Sequence, residues 1–140
     1  MVEQGGQSLV EFALALPVLL LILLGLADFG RAFYYTTAIA NAARAGAEYA
    51  ARNAGAGATV RTITNKVCNE TGFYAYQPNP SAPPCPLAVT VSPSPPVAGG
   101  GDVTVTVTYD FNLLSAYLVS RITNVNPIPL RAQAIFPVLK

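Results

Sequence analysis

The sequence predicts an α+β protein with one long N-terminal transmembrane helix packed on a small antiparallel β-sheet head domain. Three observations support this fold class. The run 12–27 is apolar and uncharged, residues 28–54 are rich in alanine, and residues 103–109 alternate strictly between valine and threonine before ending in tyrosine. The first two patterns favour helix, whereas alternation with a period of two is typical of a strand with one buried face.

A single helix is predicted over residues 7–54, and its first part is predicted to cross a membrane. Residues 9–27 carry only one charge, on Glu11. At about 1.5 Å per residue these residues extend roughly 28 Å, close to the ~30 Å thickness of a bilayer's hydrocarbon core. A secretory signal peptide normally has a positive charge before its apolar run. No Lys or Arg precedes this run, and helical character continues after Asp28, so we expect a retained anchor. Pro17 predicts a kink or local unwinding around residues 13–17.

The second half of this helix carries a stripe of small residues, which lets another backbone approach closely. The stripe consists of Ala43, Gly46, Ala47, Ala50 and Ala54. Its partner could be the protein's own sheet or the helices of neighbouring copies. We expect residues 29–39 to pack against neighbours and residues 43–54 against the protein's own sheet. The Gly-Ala-Gly segment 55–57 should end the helix. A second short helix is predicted over 59–67, with Thr59 as its cap.

The remaining chain, residues 55–140, is predicted to form the head domain, with its sheet at about 87–137. Residues 71–86 are rich in turn-forming residues. Strands are predicted at 87–92, 103–109 and 130–136, which together suggest an antiparallel meander of about three strands. Residues 113–123 could form a helical turn or a membrane-proximal excursion.

Composition argues against several functions. Only 11% of residues are charged, the eight Lys and Arg residues are scattered, and the net charge is +1, so no basic stripe exists for nucleic acid. The chain has no His. A Ser or Cys nucleophile therefore lacks its usual base, and we predict neither an enzyme nor a metal or cofactor site.

Two cysteines, Cys68 and Cys85, are predicted to form one disulfide if the head is exported; the alternative is two free thiols. Asn69 begins an Asn-Glu-Thr triplet that matches a glycosylation sequon, although such triplets often arise by chance.

The N-terminal pattern resembles a type IV pilin precursor: Gly6 is followed five residues later by Glu11 and then Phe12, at the start of an apolar helix. Over the longer stretch, including residues 25–31 and 42–47, the chain is similar to TadE-like pseudopilins of tight-adherence pilus systems. This resemblance implies a leader peptide, residues 1–6, which a prepilin peptidase removes between Gly6 and Gln7. It also implies assembly roles for Glu11, Phe12 and Pro17.

The function implied by the resemblance is that of a structural subunit. The subunit would be inserted in the inner membrane and would assemble through its apolar helix into a type IV-like surface filament. Its partners would be copies of itself or other pilins, the prepilin peptidase, the inner-membrane assembly platform and lipid. The alternatives are a membrane-anchored assembly or secretion component that never polymerises, and a soluble binding module or enzyme.

Overall fold

The computed structural model describes residues 5–72, 85–93, 100–119 and 127–138. These residues form three helices and three strands. In chain order they are α1 (Gly5–Arg52), α2 (Val60–Thr71), β1 (Leu87–Ser92), β2 (Asp102–Phe111), α3 (Leu114–Val119) and β3 (Ile128–Pro137). The α+β class predicted from the sequence is confirmed.

The chain divides into two compact units. We call residues 1–33 with 112–127 the helix unit, and residues 34–111 with 128–140 the head unit. α1 contributes residues to both. Most of the predicted turn-rich segment 71–86 and the first four residues of the predicted leader lie outside the described residues.

α1 is 48 residues long and its helical assignment continues through Pro17. The predicted local unwinding around residues 13–17 is therefore wrong, whereas the alternative, a kink at Pro17, stays a prediction. Proline removes one backbone donor, which leaves the carbonyl of Ala13 without its usual partner. The hydrogen bonds of the flanking turns remain, and strong helix formers such as leucine and alanine surround the site on both sides.

α1 ends at Arg52, two residues before the predicted end. The backbone N–H of Asn53 donates to the carbonyl of Tyr49 at 3.1 Å, and the Asn53 side-chain amide donates to the same carbonyl at 2.8 Å. These bonds satisfy a carbonyl that the terminated helix would otherwise leave without a partner. Gly55 and Gly57 then adopt φ values of 81° and 92°, which turn the chain towards α2.

The head unit contains a three-stranded antiparallel sheet in the order β1-β2-β3. In the central strand, Val103, Val105 and Val107 are fully buried, as their alternation predicts. Thr106 is also buried, at 7% exposure, although the same alternation places it on the opposite face. Thr106 is shielded because β2 is the central strand, so that Thr90 of β1 and Gln133 of β3 flank it on either side.

The small residues of α1 lie in the core of the head unit. Ala43, Ala47 and Ala50 are fully buried in one cluster with the valines of β2. Gly46 allows a close approach: a Cβ added there would lie 2.5 Å from Cγ2 of Val67 and 3.4 Å from Cγ1 of Val105. The expectation that residues 43–54 pack on the protein's own sheet is confirmed, with α2 also in contact.

The expectation that residues 29–39 face neighbouring copies is wrong for the last part of that range. Ile39 is fully buried in the core of the head unit. The ring of Tyr35 lies 5.1 Å from that of Tyr109 and 5.6 Å from that of Phe111. Both distances are typical of interacting aromatic pairs, so Tyr35 is held within its own subunit.

α2 begins with the capping arrangement predicted at Thr59. The Thr59 hydroxyl accepts a hydrogen bond from the backbone N–H of Thr62, while the Thr62 hydroxyl accepts one from the backbone N–H of Thr59. These reciprocal bonds satisfy donors at the start of the helix. Ile63 and Val67 on the inner face are fully buried, so the cap directs an apolar stripe onto the core.

Candidate assembly surface

The N-terminal turns of α1 bring together several of the residues that the sequence singled out. Gln7 and Glu11 are four residues apart on one helix and therefore lie on the same face. A shallow groove on this surface is lined by Gly6, Gln7, Val10, Glu11 and Leu14. Phe12 and Pro17 follow on the same exposed helix. The helix thus presents the predicted processing position and the predicted assembly residues in one short segment.

The first half of α1 is an exposed apolar surface. Exposure reaches 70% for Leu9, 63% for Phe12 and 72% for Leu14. An 18-residue window of the helix has a mean hydropathy of 2.7, and none of that window is buried. By length and composition this helix could span a membrane. So much exposed apolar surface in one continuous stretch requires a lipid or protein partner.

Glu11 is the charged group within this apolar surface. Its side chain is exposed, and the ion pairs within the described part of the chain do not include it. Those pairs join Asp28 to Arg31, Glu48 to Arg52 and Glu70 to Lys66. A charged side chain at the centre of a membrane helix is unfavourable by about 2.5–3.5 kcal/mol on translocon-insertion scales. Glu11 therefore offers an acceptor that an opposite charge from outside the subunit could neutralise.

A second charged group, Asp28, was not recognised as a site residue from the sequence. It follows the apolar span directly and is buried, with 4% of its surface exposed. One carboxylate oxygen accepts the backbone N–H of Leu114 at 2.7 Å. The other accepts the backbone N–H of Ser115 at 2.8 Å and the Ser115 hydroxyl at 2.6 Å. Asp28 therefore caps α3 from a distant part of the chain.

The guanidinium of Arg31 lies 3.4 Å from the same carboxylate, one turn further along α1. Together these contacts satisfy both oxygens of a buried charge, which is the condition for burying one without a large penalty. The carboxylate thereby fixes the start of α3 against α1 within the helix unit.

Removal of this carboxylate should loosen α3. In the Asp28→Ala protein, the amides of Leu114 and Ser115 lose their acceptor, and loss of a helix cap costs about 0.5–2 kcal/mol. Hydrogen exchange at those two amides should accelerate by roughly two- to thirtyfold, since 1.4 kcal/mol corresponds to a factor of ten. Asp110→Ala is a suitable control because Asp110 is exposed near the end of β2. Unchanged exchange at both amides in Asp28→Ala would contradict this role.

The predicted disulfide is present. The sulfur atoms of Cys68 and Cys85 are 2.01 Å apart and the Cα atoms 6.2 Å apart. The bond joins the last turn of α2 to the residue two positions before β1. Asn69 lies beside it on α2 with its side chain exposed; its glycosylation remains a prediction.

Comparison with known proteins links the chain to one family. The sequence model of the TadE-like protein family matches residues 6–48. No curated protein and no solved structure matches the chain. The matched segment contains the apolar span, Glu11, Asp28 and most of the small-residue stripe. Over this N-terminal helix the chain is therefore similar to the TadE-like protein family.

Proposed function

We propose that this chain is a pilin-like structural subunit that enters a tight-adherence filament through the apolar half of α1. The observation that carries the proposal is the exposed apolar surface of residues 9–27, in which Glu11 lacks an opposite charge among the described residues. In the inner membrane this surface contacts lipid. In a filament the same surface packs against equivalent helices of copies of the chain or of other pilins.

The partner of Glu11 in this proposal is the α-amino group of Gln7 in an adjoining subunit. Cleavage between Gly6 and Gln7 by a prepilin peptidase creates that amine. Opposite charges close together in a low-dielectric environment attract strongly, and each relieves the desolvation cost of the other. The pair would set the axial position of one subunit against the next, while the apolar surface supplies most of the buried area.

An exposed aromatic surface extends the same helix beyond the span. Phe29 and Phe33 are four residues apart, with exposures of 72% and 69%. Residues at this spacing lie on one face of a helix. Exposed aromatic side chains are typical of protein interfaces and of membrane boundaries. We assign them to contacts with neighbouring subunits. In this proposal the inner-membrane assembly platform adds those subunits to the filament.

Processing of the leader tests the first step of this proposal. Mass spectrometry of protein extracted from the native membrane should show the loss of residues 1–6, which leaves Gln7 first and Glu11 fifth. A Gly6→Leu variant should retain the leader, because a bulky side chain replaces the small residue at the cleavage position. Intact Met1 to Gly6 in the wild-type protein would refute cleavage.

A second function is favoured by one observation, the absence of Lys or Arg from residues 1–6, where Glu3 supplies the sole charge. Leaders of this type usually carry a basic residue, so the chain could keep its leader and act as a membrane-anchored assembly component. In that case the protein would remain in the inner membrane and would be absent from filaments.

A further inference from the structure

We propose that α3 and the residue before it form a second, interfacial contact with the lipid bilayer, beside the outer end of the apolar span. This inference rests on the proposed membrane insertion of α1. Its partner is the boundary between lipid headgroups and acyl chains, in the leaflet where the span ends. All the residues involved belong to the helix unit.

The first step is the depth of α3. Asp28 is the residue directly after the predicted span 9–27, and it holds the amides of Leu114 and Ser115 at 2.7 and 2.8 Å. Side chains on a helix lean towards its N-terminus, which here is the direction of the span. The carboxylate of Asp28 therefore lies no further from the membrane than its own Cα, and α3 begins at that level.

The second step is the chemistry of the segment. Residues 111–120 carry no charged side chain. In α3 the sequence is Leu-Ser-Ala-Tyr-Leu-Val, and Leu113 precedes it. Leu114 is 46% exposed even though its amide is anchored on Asp28. A connection between two strands is normally polar when it faces water, so this composition suits an apolar environment.

The third step is the size of the segment. The six residues of α3 extend about 9 Å at 1.5 Å per residue. Interfacial helices insert their apolar face roughly 5–10 Å into the boundary region. Even in an upright orientation, a helix of this length would therefore stay within the boundary region and would not cross the hydrocarbon core. The satisfied Asp28 carboxylate makes this placement possible, since neither oxygen is left bare at the edge of a low-dielectric medium.

Tryptophan fluorescence in vesicles can test this placement directly, because the chain contains no Trp. Three single variants of the full chain are reconstituted in phosphatidylcholine vesicles whose acyl chains carry bromine at shallow or deep positions. Leu114→Trp reports on α3, Leu19→Trp on the middle of the span and Val60→Trp on the head unit. Bromine quenches only tryptophan that lies close to it.

We expect Leu114→Trp to lose a large share of its emission with shallow bromines and less with deep ones. Leu19→Trp should show the reverse order, and Val60→Trp should lose almost none. An unquenched Leu114→Trp beside a quenched Leu19→Trp would overturn the inference while leaving membrane insertion intact. An unquenched Leu19→Trp would overturn both insertion and this inference.

The same samples separate lipid from a second copy of the chain. If emission from Leu114→Trp shifts to the blue only at high protein-to-lipid ratio, without quenching, another copy covers this surface and the lipid assignment is wrong. Circular dichroism and amide exchange of each variant verify that the replaced side chain has not disrupted the fold. Leu114 and Val60 are both partly exposed, so their replacement should be tolerated.

Discussion

Replacement of Glu11 by alanine is expected to reduce incorporation into pili by about tenfold or more, with little change in expression or membrane insertion. Measured coupling energies for close charge pairs at protein interfaces are about 1.5–7 kcal/mol. The lower bound already corresponds to roughly a tenfold change in an equilibrium constant. Insertion should not suffer, since alanine is easier to transfer into lipid than a carboxylate.

The measurement is the ratio of the chain in sheared filaments to that in the membrane fraction, by quantitative immunoblot. Glu11→Gln keeps the side-chain size without the charge and should show the same defect. Glu48→Ala serves as the matched control, because Glu48 is a partly exposed carboxylate paired with Arg52 within the same subunit. If Glu11→Ala assembles as well as wild type, Glu11 only marks the membrane boundary and the pairing is wrong.

Loss of the disulfide is expected to destabilise the head unit by roughly 3 kcal/mol, the value the chain-entropy model gives for a loop of this length. The bond closes a sequence separation of 17 residues. In the Cys68→Ser/Cys85→Ser protein the unfolded chain regains the conformational freedom that the closed loop removes. The folded core, by contrast, loses only two sulfur atoms. The urea midpoint should fall by about 1–3 M, for m-values of about 1–3 kcal/mol/M.

Tyrosine fluorescence can follow this transition in detergent, since Tyr35 and Tyr109 are in contact within the head unit and the chain has no Trp. Wild-type protein treated with reductant should unfold at the same midpoint as the double variant. Under non-reducing conditions neither cysteine of exported protein should react with a thiol label. Equal midpoints for oxidised and reduced protein would show that the bond does not stabilise the fold.

Much of the fold could be predicted because its determinants are local. Strict alternation in β2 identified the buried valines, and the short-range cap at Thr59 marked the start of α2. Small residues at helical spacing identified the face of α1 that packs in the head unit. Each signal lies within a few residues of the structure it specifies, so a single sequence is sufficient to recognise it.

The contacts of Asp28 could not be predicted in the same way. Its partners Leu114 and Ser115 are 86 and 87 residues away along the chain, and two of the three bonds come from backbone amides. Backbone donors leave no signature in residue type. A carboxylate directly after an apolar span was the available clue, yet it also fits an ordinary membrane boundary. Ile39 and Tyr35 were misassigned for a related reason, since an apolar residue on a helix does not reveal which partner covers it.

The measurement that tests the central claim most directly is the composition of filaments sheared from the cell surface. Peptide mass spectrometry should find this chain in the purified filament fraction, with its N-terminus at Gln7 and with Cys68 joined to Cys85. The amount should fall with Glu11→Ala and remain unchanged with Glu48→Ala. A chain found only in the inner membrane, with residues 1–6 still attached, would contradict a filament subunit and establish the non-polymerising component instead.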